Sequence, residues 1–252
     1  MKKIIILSIF LIALAVPFSL FATLAGKKIC IDPGHGGSDP GAVSGTVKES
    51  EMVLDISLRT KPLLENHSAT VIMTRTDEVY VTLQNRTLIA NNNNAHLFIS
   101  HHLNSFHLES ANGTETLAYQ TGTNGYTLAS KIQTRLLEHL KRNNRGVKIR
   151  TDLYVLKNTS MPAALSEALF ISNTTERNII TQPANRQAHA VASYQAVCDY
   201  YGVTPKDGGG TTPTGKGGLK GYVYNESKGD NVEGNRIAGA TCTLTKGTNI
   251  HT

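Results

Sequence analysis

The chain has 252 residues, 40% of them hydrophobic and 17% charged, with no tryptophan. That length allows one full-sized domain plus extras, and the composition excludes both a wholly disordered polar chain and a polytopic membrane protein. The 25 basic against 19 acidic side chains leave a net charge of +6, too mild an excess to argue a nucleic-acid partner and suited at most to loose attraction to an anionic polymer.

Lys2 and Lys3 precede an apolar run from Ile4 to Ala25 that ends in small residues before Gly26. This pattern reads as a secretory signal over residues 1–25. The run approaches the ~20 residues that cross a bilayer, so an uncleaved N-terminal anchor is the alternative. Either way the remainder is exported, to the medium, periplasm or cell wall, with no membrane span once the signal is removed. Three cysteines, Cys30, Cys198 and Cys242, form an odd set without CxxC spacing, which supports neither a disulfide framework nor a thiolate zinc site. An oxidising compartment would permit a Cys30–Cys198 bridge, but the spacing does not demand one. Cys30 falls in a predicted buried strand, where cysteine acts as a small hydrophobe.

From Lys28 onward, short apolar runs alternate with longer helical periods, the mark of an α/β sheet. A first strand is expected at residues 28–31. A helix follows over 51–66 on the stripe Leu54, Ile56, Leu58, Leu64, and Pro62 should bend or shorten its last turn. Residues 70–74 read as a second strand. Thr82 is placed as the N-cap of a helix through Leu83, Arg86, Leu88 and Ile89 that dissolves in the asparagine run 91–94. Strands are expected at 96–100, 114–119 and 163–167, and helices near 126–143 and 182–200. The main domain thus spans 26–203, an α/β fold with a mixed, largely parallel twisted sheet and helices on both faces. Residues 204–218, with eight glycines and prolines among polar neighbours, cannot bury a core and read as a flexible linker. Residues 219–252 alternate like strands of a truncated β segment similar to the opening of a β-sandwich. Two or three such strands are marginal alone.

The chemistry begins right after the first strand. In DPGHGG, residues 32–37, the glycines let the chain turn sharply and project His35. A phosphate-cradling loop would instead end in GK[ST] and carry no central histidine. In FISHHLN, residues 98–104, His101 and His102 leave the third strand, and alternation sends them to opposite faces, so at most one reaches a shared site. Glu167 closes the fifth strand, and Glu49 and Glu51 stand at the start of the first helix. In a parallel sheet the carboxyl ends of the strands share one rim, where ligands collect. Two histidines and one carboxylate form a hydrolytic zinc set with an open position, and a further glutamate can shuttle the water proton. Spacing alone leaves Glu49 competing with Glu51, and His101 with His102.

These motifs resemble those of the zinc-dependent N-acetylmuramoyl-L-alanine amidases of the amidase 3 type, over residues 28–202. The family's DxGHGGxDxGA motif stands as DPGHGGSDPGA at 32–42, its FISIHANA segment as FISHHLNS at 98–105, and its PAxLxExGFxSN segment as PAALSEALFISN at 162–173. The resemblance implies one zinc ion held by His35, Glu49 and His102, with Glu167 as the catalytic acid/base. It further implies hydrolysis of the amide between N-acetylmuramic acid and L-alanine in peptidoglycan, in wall turnover, septum splitting or lysis, by a monomer. A deacetylase or amidase acting on another exported amide, or a wall-binding module whose catalysis has lapsed, are the alternatives. Two departures stand out: Leu169 replaces a glycine two residues from Glu167, and His101 replaces an apolar residue beside His102. Asp39 is expected as a turn residue, Arg86 as an anchor of its helix or a substrate contact, and Glu115 as a support for a ligand histidine. His67, His107, His139, His189 and His251 are expected on solvated surfaces. No apolar insertion between Gly113 and Tyr126 is long enough to plug the site.

Overall fold

A computed structural model describes residues 23–206. Residues 1–22 of the signal expected over 1–25, most of the linker and the whole β segment lie outside the described residues. In chain order the elements are β1 (Lys28–Pro33), β2 (Val43–Ser44), β3 (Val47–Lys48), α1 (Glu49–Asn66), β4 (Thr70–Met73), α2 (Leu83–Asn92) and β5 (Leu97–Asn104). They continue with β6 (Thr114–Ala118), α3 (Asn124–Leu140), β7 (Asn144–Ile149), α4 (Tyr154–Lys157), β8 (Ala163–Phe170), α5 (Thr174–Ile180) and α6 (Pro183–Tyr201).

Six strands form one sheet in the order β4-β1-β5-β8-β6-β7. All neighbouring pairs are parallel except β6 with β8, which run antiparallel. The sheet is therefore mixed and largely parallel, as expected. Central strands covered on both sides need apolar residues at every position rather than at alternate ones. The ICI of β1 meets that demand, and every residue of the strand after Lys28 is buried. On one face Ile29, Ile31, Leu97 and Ile99 pack with the apolar residues of α1, α3 and α6. On the other, Cys30, Phe98, Leu117 and Leu165 pack with Ala90 of α2 and with Val155 and Leu156 of α4. Each fully buried Leu, Ile or Phe side chain contributes on the order of 1.5 to 3 kcal/mol, so these two layers carry the fold.

The helix ends follow local chemistry. Thr82, Thr123 and Asn173 each accept a hydrogen bond from the backbone N–H three residues on, a cap that contributes about 1 kcal/mol. Thr82 acts as the sequence predicts. Pro62 does not shorten α1, which continues to Asn66. The fully buried Leu64 docks the last turn in the core, and that packing offsets the backbone donor lost at the proline.

Strand β7 is absent from the sequence reading, because NRGVKI offers only two apolar residues and carries the charge that an edge strand tolerates. Leu24, upstream of the expected domain start, is fully buried and its N–H donates to His67 O at 2.9 Å. His67 and His189 are 1% and 0% exposed, contrary to the surface expected of them, whereas His107 is exposed. Both owe their burial to partners in the core: Tyr194 Oη lies 3.0 Å from His67 Nδ1, and the His189 ring packs against His101. Cys30 and Cys198 are buried free thiols, with no bridge between them.

Candidate metal centre

Parallel neighbours β1, β5 and β8 end on one rim. His35 follows β1, His102 lies toward the end of β5, and Glu167 is its ladder partner on β8, a strand that runs past the expected end at Glu167 to Phe170. Glu49 is the first residue of α1, so the tight β2–β3 hairpin that precedes the helix aims it at the same rim.

The loop carrying His35 is held by buried guanidinium groups. Arg86 donates to Asp32 Oδ1 at 2.7 Å, to Pro33 O at 2.6 Å and to His35 O at 2.5 Å. Arg75 donates to Pro33 O, Gly34 O and Ser50 O at 3.0, 2.8 and 2.8 Å. Asp32 also accepts from Thr74 and Ser100 at 2.6 and 2.7 Å. Arg86 thus anchors its helix to the sheet and the ligand loop, one of the two roles open to it from sequence. These contacts hold His35 at a φ of 58°, a conformation uncommon outside glycine.

His35, Glu49 and His102 present ligand atoms that all lie within 4.8 Å of one another. Glu49, 3% exposed, places Oε1 2.9 Å from His102 Nδ1 and 3.2 Å from His35 Nε2. The same oxygen accepts the Leu103 N–H, and Oε2 accepts the Ala42 N–H, both at 2.9 Å. Backbone donors therefore hold both oxygens of the carboxylate in place, Oε1 being the one that both imidazoles meet. Glu51 instead pairs with Lys48 at the surface, which resolves the choice that spacing had left open.

His101 points to the opposite face. It is fully buried, 2.8 Å from Ser57 Oγ and 3.1 Å from Ser193 Oγ, as strand alternation requires. Asp39 closes its turn by accepting from Gly41 N at 3.1 Å, and its other oxygen lies 2.9 Å from His35 Nδ1. Sequence reading found the turn and missed the histidine contact, which the four-residue spacing within one loop could have suggested. Glu115 was expected to support a ligand histidine, but it binds Asn104 at 2.8 Å and Arg145 at 2.7 Å. Pairing with β7 at the sheet edge draws it away from the imidazoles. Leu169 is fully buried in the larger core cluster.

Two glycines admit these side chains. A Cβ at Gly34 would sit 2.3 Å from the His102 ring, and one at Gly41, where φ is 67°, would sit 2.7 Å from Glu49 Oε2 and His35 Cδ2.

The electrostatics fit a cation at the centre. Burial opposes charge on His35, yet hydrogen bonds and charge from Glu49 and Asp39 raise its pKa to about 9. His102 is raised against burial by Glu49 in the same way, while Glu49 is held well below the usual carboxylate range by the two imidazoles despite its own burial. The cluster draws positive charge to the point between its three donors, which suits a divalent ion on two imidazoles and a carboxylate. Glu167 behaves oppositely: burial, reinforced by the charges of Glu49 and Glu115 and moderated by His102, raises it to about 7. Its Oε2 is buried with no hydrogen-bond partner among the described residues.

Comparison with known proteins identifies the family. The family model described as N-acetylmuramoyl-L-alanine amidase, amidase 3, matches residues 29–199. The chain is 31% identical over 199 residues to the germination-specific N-acetylmuramoyl-L-alanine amidase of Bacillus subtilis, covering 73% of this chain and 83% of that protein. It is 35% identical over 181 residues to the amidase LytC of the same organism, covering 71% of this chain and 36% of LytC. Among solved structures, an N-acetylmuramoyl-L-alanine amidase from Clostridium difficile 630 superposes with a TM-score of 0.67 at 31% identity, over 71% of this chain and 98% of that one. By fold, by the match over most of its length and by its relatives, the chain belongs to the amidase 3 family of N-acetylmuramoyl-L-alanine amidases, which are hydrolases.

Proposed function

We propose that the chain is an exported, zinc-dependent enzyme that hydrolyses the amide between N-acetylmuramic acid and L-alanine in peptidoglycan, acting as a monomer in wall turnover, septum splitting or lysis. The observation that carries the reading is the convergence of His35, Glu49 and His102 within 4.8 Å, with Glu167 across the ladder from His102. Within this reading residues 26–203 are the catalytic domain, preceded by the signal at 1–25 and followed by the linker at 204–218 and the β segment at 219–252.

A zinc ion held by His35, Glu49 and His102 supplies Lewis acidity to the amide carbonyl and brings the pKa of a water ligand near 7. Asp39 orients His35 by holding its Nδ1, which turns Nε2 toward the shared centre. Glu167 takes a proton from the attacking water and delivers it to the departing nitrogen. A C–O bond forms at the lactyl carbonyl carbon and its C–N bond breaks. The products are a lactyl carboxylate on the sugar and a free α-amine on L-alanine.

The test is digestion of purified sacculi. Mass spectrometry should find free peptides and intact N-acetylmuramic acid, and Glu167→Gln should keep its zinc while turnover drops about 10²-fold or more. Loss of acetate alone would show a deacetylase. Stoichiometric zinc without any product would show a binding module.

A further inference from the structure

The outer face of α2 carries a feature the reaction does not use. A cleft of about 460 Å3 is lined by Tyr80, Asn85, Leu88, Ile89 and Asn92, among others, and none of its lining residues is charged. The four helical residues recur at the spacing that keeps them on one side of a helix. Tyr80 and Leu88 are 54% and 42% exposed, and Asn85 and Asn92 are exposed as well.

The asparagine run at 91–94 gains a meaning here. Asn91 spends its side chain on Asn158 O at 3.0 Å and on Ser160 N at 2.9 Å, and Asn93 donates to Ile89 O at 2.8 Å. Among the described residues the side-chain amides of Asn85 and Asn92 hold no such bond, so each offers two donors and an acceptor to a ligand. An uncharged cleft with free amides, an exposed phenol ring and an exposed leucine matches a neutral carbohydrate. Its hydroxyl and acetamido groups both donate and accept, and its C–H faces lie against apolar surface.

The cleft also joins the metal loop. A Cβ at Gly37 would lie 2.5 Å from Tyr80 N, and one at Gly36 would lie 2.3 Å from Val79 O. Segment 79–80 therefore rests on the residues that directly follow His35. From there α2 extends ten residues, about 15 Å at 1.5 Å per residue, room for several sugar units.

We infer that the α2 cleft is a subsite for the uncharged glycan strand of the substrate, with Tyr80 as its apolar platform and Asn85 and Asn92 as its polar contacts. The inference rests on the proposed peptidoglycan reaction, since that reaction supplies a sugar chain attached next to the scissile bond.

The experiment compares full-length protein with Tyr80→Ala and Asn92→Ala on two substrates bearing the same peptide, one with a single disaccharide and one with a strand of several. The expected result is a KM about tenfold higher on the long strand for each variant, with kcat and all constants on the short substrate within about twofold of the parent. Peptide-free glycan strands should bind the parent and lose affinity to the same extent in both variants. Equal effects on the two substrates, no effect on either, or no binding of peptide-free glycan by an active parent would overturn the subsite while leaving the amidase reading standing. A parent inactive on both substrates would overturn that reading, and the subsite with it. A dimer that dissociates in Tyr80→Ala without any glycan binding would make this face a contact between copies, and would equally overturn the subsite.

Discussion

Asp39 Oδ2 lies 2.9 Å from His35 Nδ1, and the other oxygen of the same carboxylate accepts the Gly41 N–H at 3.1 Å. One side chain therefore shapes the turn and sets the ring it carries, so that Nε2 faces Glu49. Asp39→Ala is expected to weaken zinc affinity by about 10- to 100-fold, the usual cost of losing a carboxylate behind a metal-ligating histidine. Asp39→Asn, which keeps the turn, should lose less. Competition titration with a chromogenic chelator measures both, and affinities equal to the parent would refute the positioning role.

Gly34 makes a sharper case. Any side chain there meets the His102 ring at 2.3 Å, well inside van der Waals contact. Gly34→Ala should displace His102 and lower zinc affinity at least about tenfold, while circular dichroism stays close to the parent. Full zinc loading of this variant, measured by elemental analysis, would show that the loop yields more easily than its packing implies.

Arg86 and Asp32 are 2% and 1% exposed and meet at 2.7 Å. Removing one partner leaves the other charge buried, so Arg86→Ala should cost about 3 to 5 kcal/mol in urea unfolding. Burial pushes the Asp32 carboxyl up, but the Arg86 charge and the bonds from Thr74, Arg86 and Ser100 outweigh it and leave the pKa below the usual carboxylate range. A carboxylate with a depressed pKa gives its stabilisation above its unfolded pKa and loses it as pH falls through the folded value. The parent should therefore lose this contribution only in strong acid.

His189 acts at milder pH. It is fully buried on α6, with its ring centroid 5.1 Å from that of His101 on β5 and Nε2 3.4 Å from Ser166 Oγ on β8. Burial, and then the neighbouring His101, hold its pKa well below the ordinary value. Burial likewise lowers His101, to about 3. Below about pH 6.5 the unfolded chain takes up protons at these positions and the folded chain does not. Stability should be complete above that pH and fall by about 1.4 kcal/mol per pH unit for each such histidine as the solution is acidified. His189→Leu should remove one proton's worth of that slope between pH 6 and 4, whatever its effect on stability at neutral pH. An unchanged slope in urea titrations would count against a neutral buried His189.

Much of this was legible from residue order. Strand β1 and helices α2, α3 and α6 follow from periodicity and caps, because Thr82 before an apolar stripe or a continuous run such as KICI encodes its structure within a few residues. Strand β7 was not legible, since an exposed edge needs no apolar pattern and forms because β6 offers it a partner. His67 and His189 were misread for a related reason. A polar side chain enters the core when distant residues give it hydrogen bonds or a ring to pack on, and no local signal records those neighbours.

The sequence by itself determined the chemical inventory: a glycine-rich loop that presents His35, a strand that carries His102, a glutamate at a helix start and another on a strand. It also determined that His101 and His102 part company, because a strand alternates its side chains whatever surrounds it. Spacing left Glu49 and Glu51 level, the family resemblance pointed to Glu49, and the tertiary structure sets Glu49 beside the histidines; only that structure decided that Asp39 backs His35 and that Glu115 serves Arg145 and Asn104 instead of an imidazole. Those choices depend on how β1, β5 and β8 lie side by side and on the angle at which α1 leaves its hairpin. Such geometry is set by packing between segments tens of residues apart, which spacing along the chain does not carry.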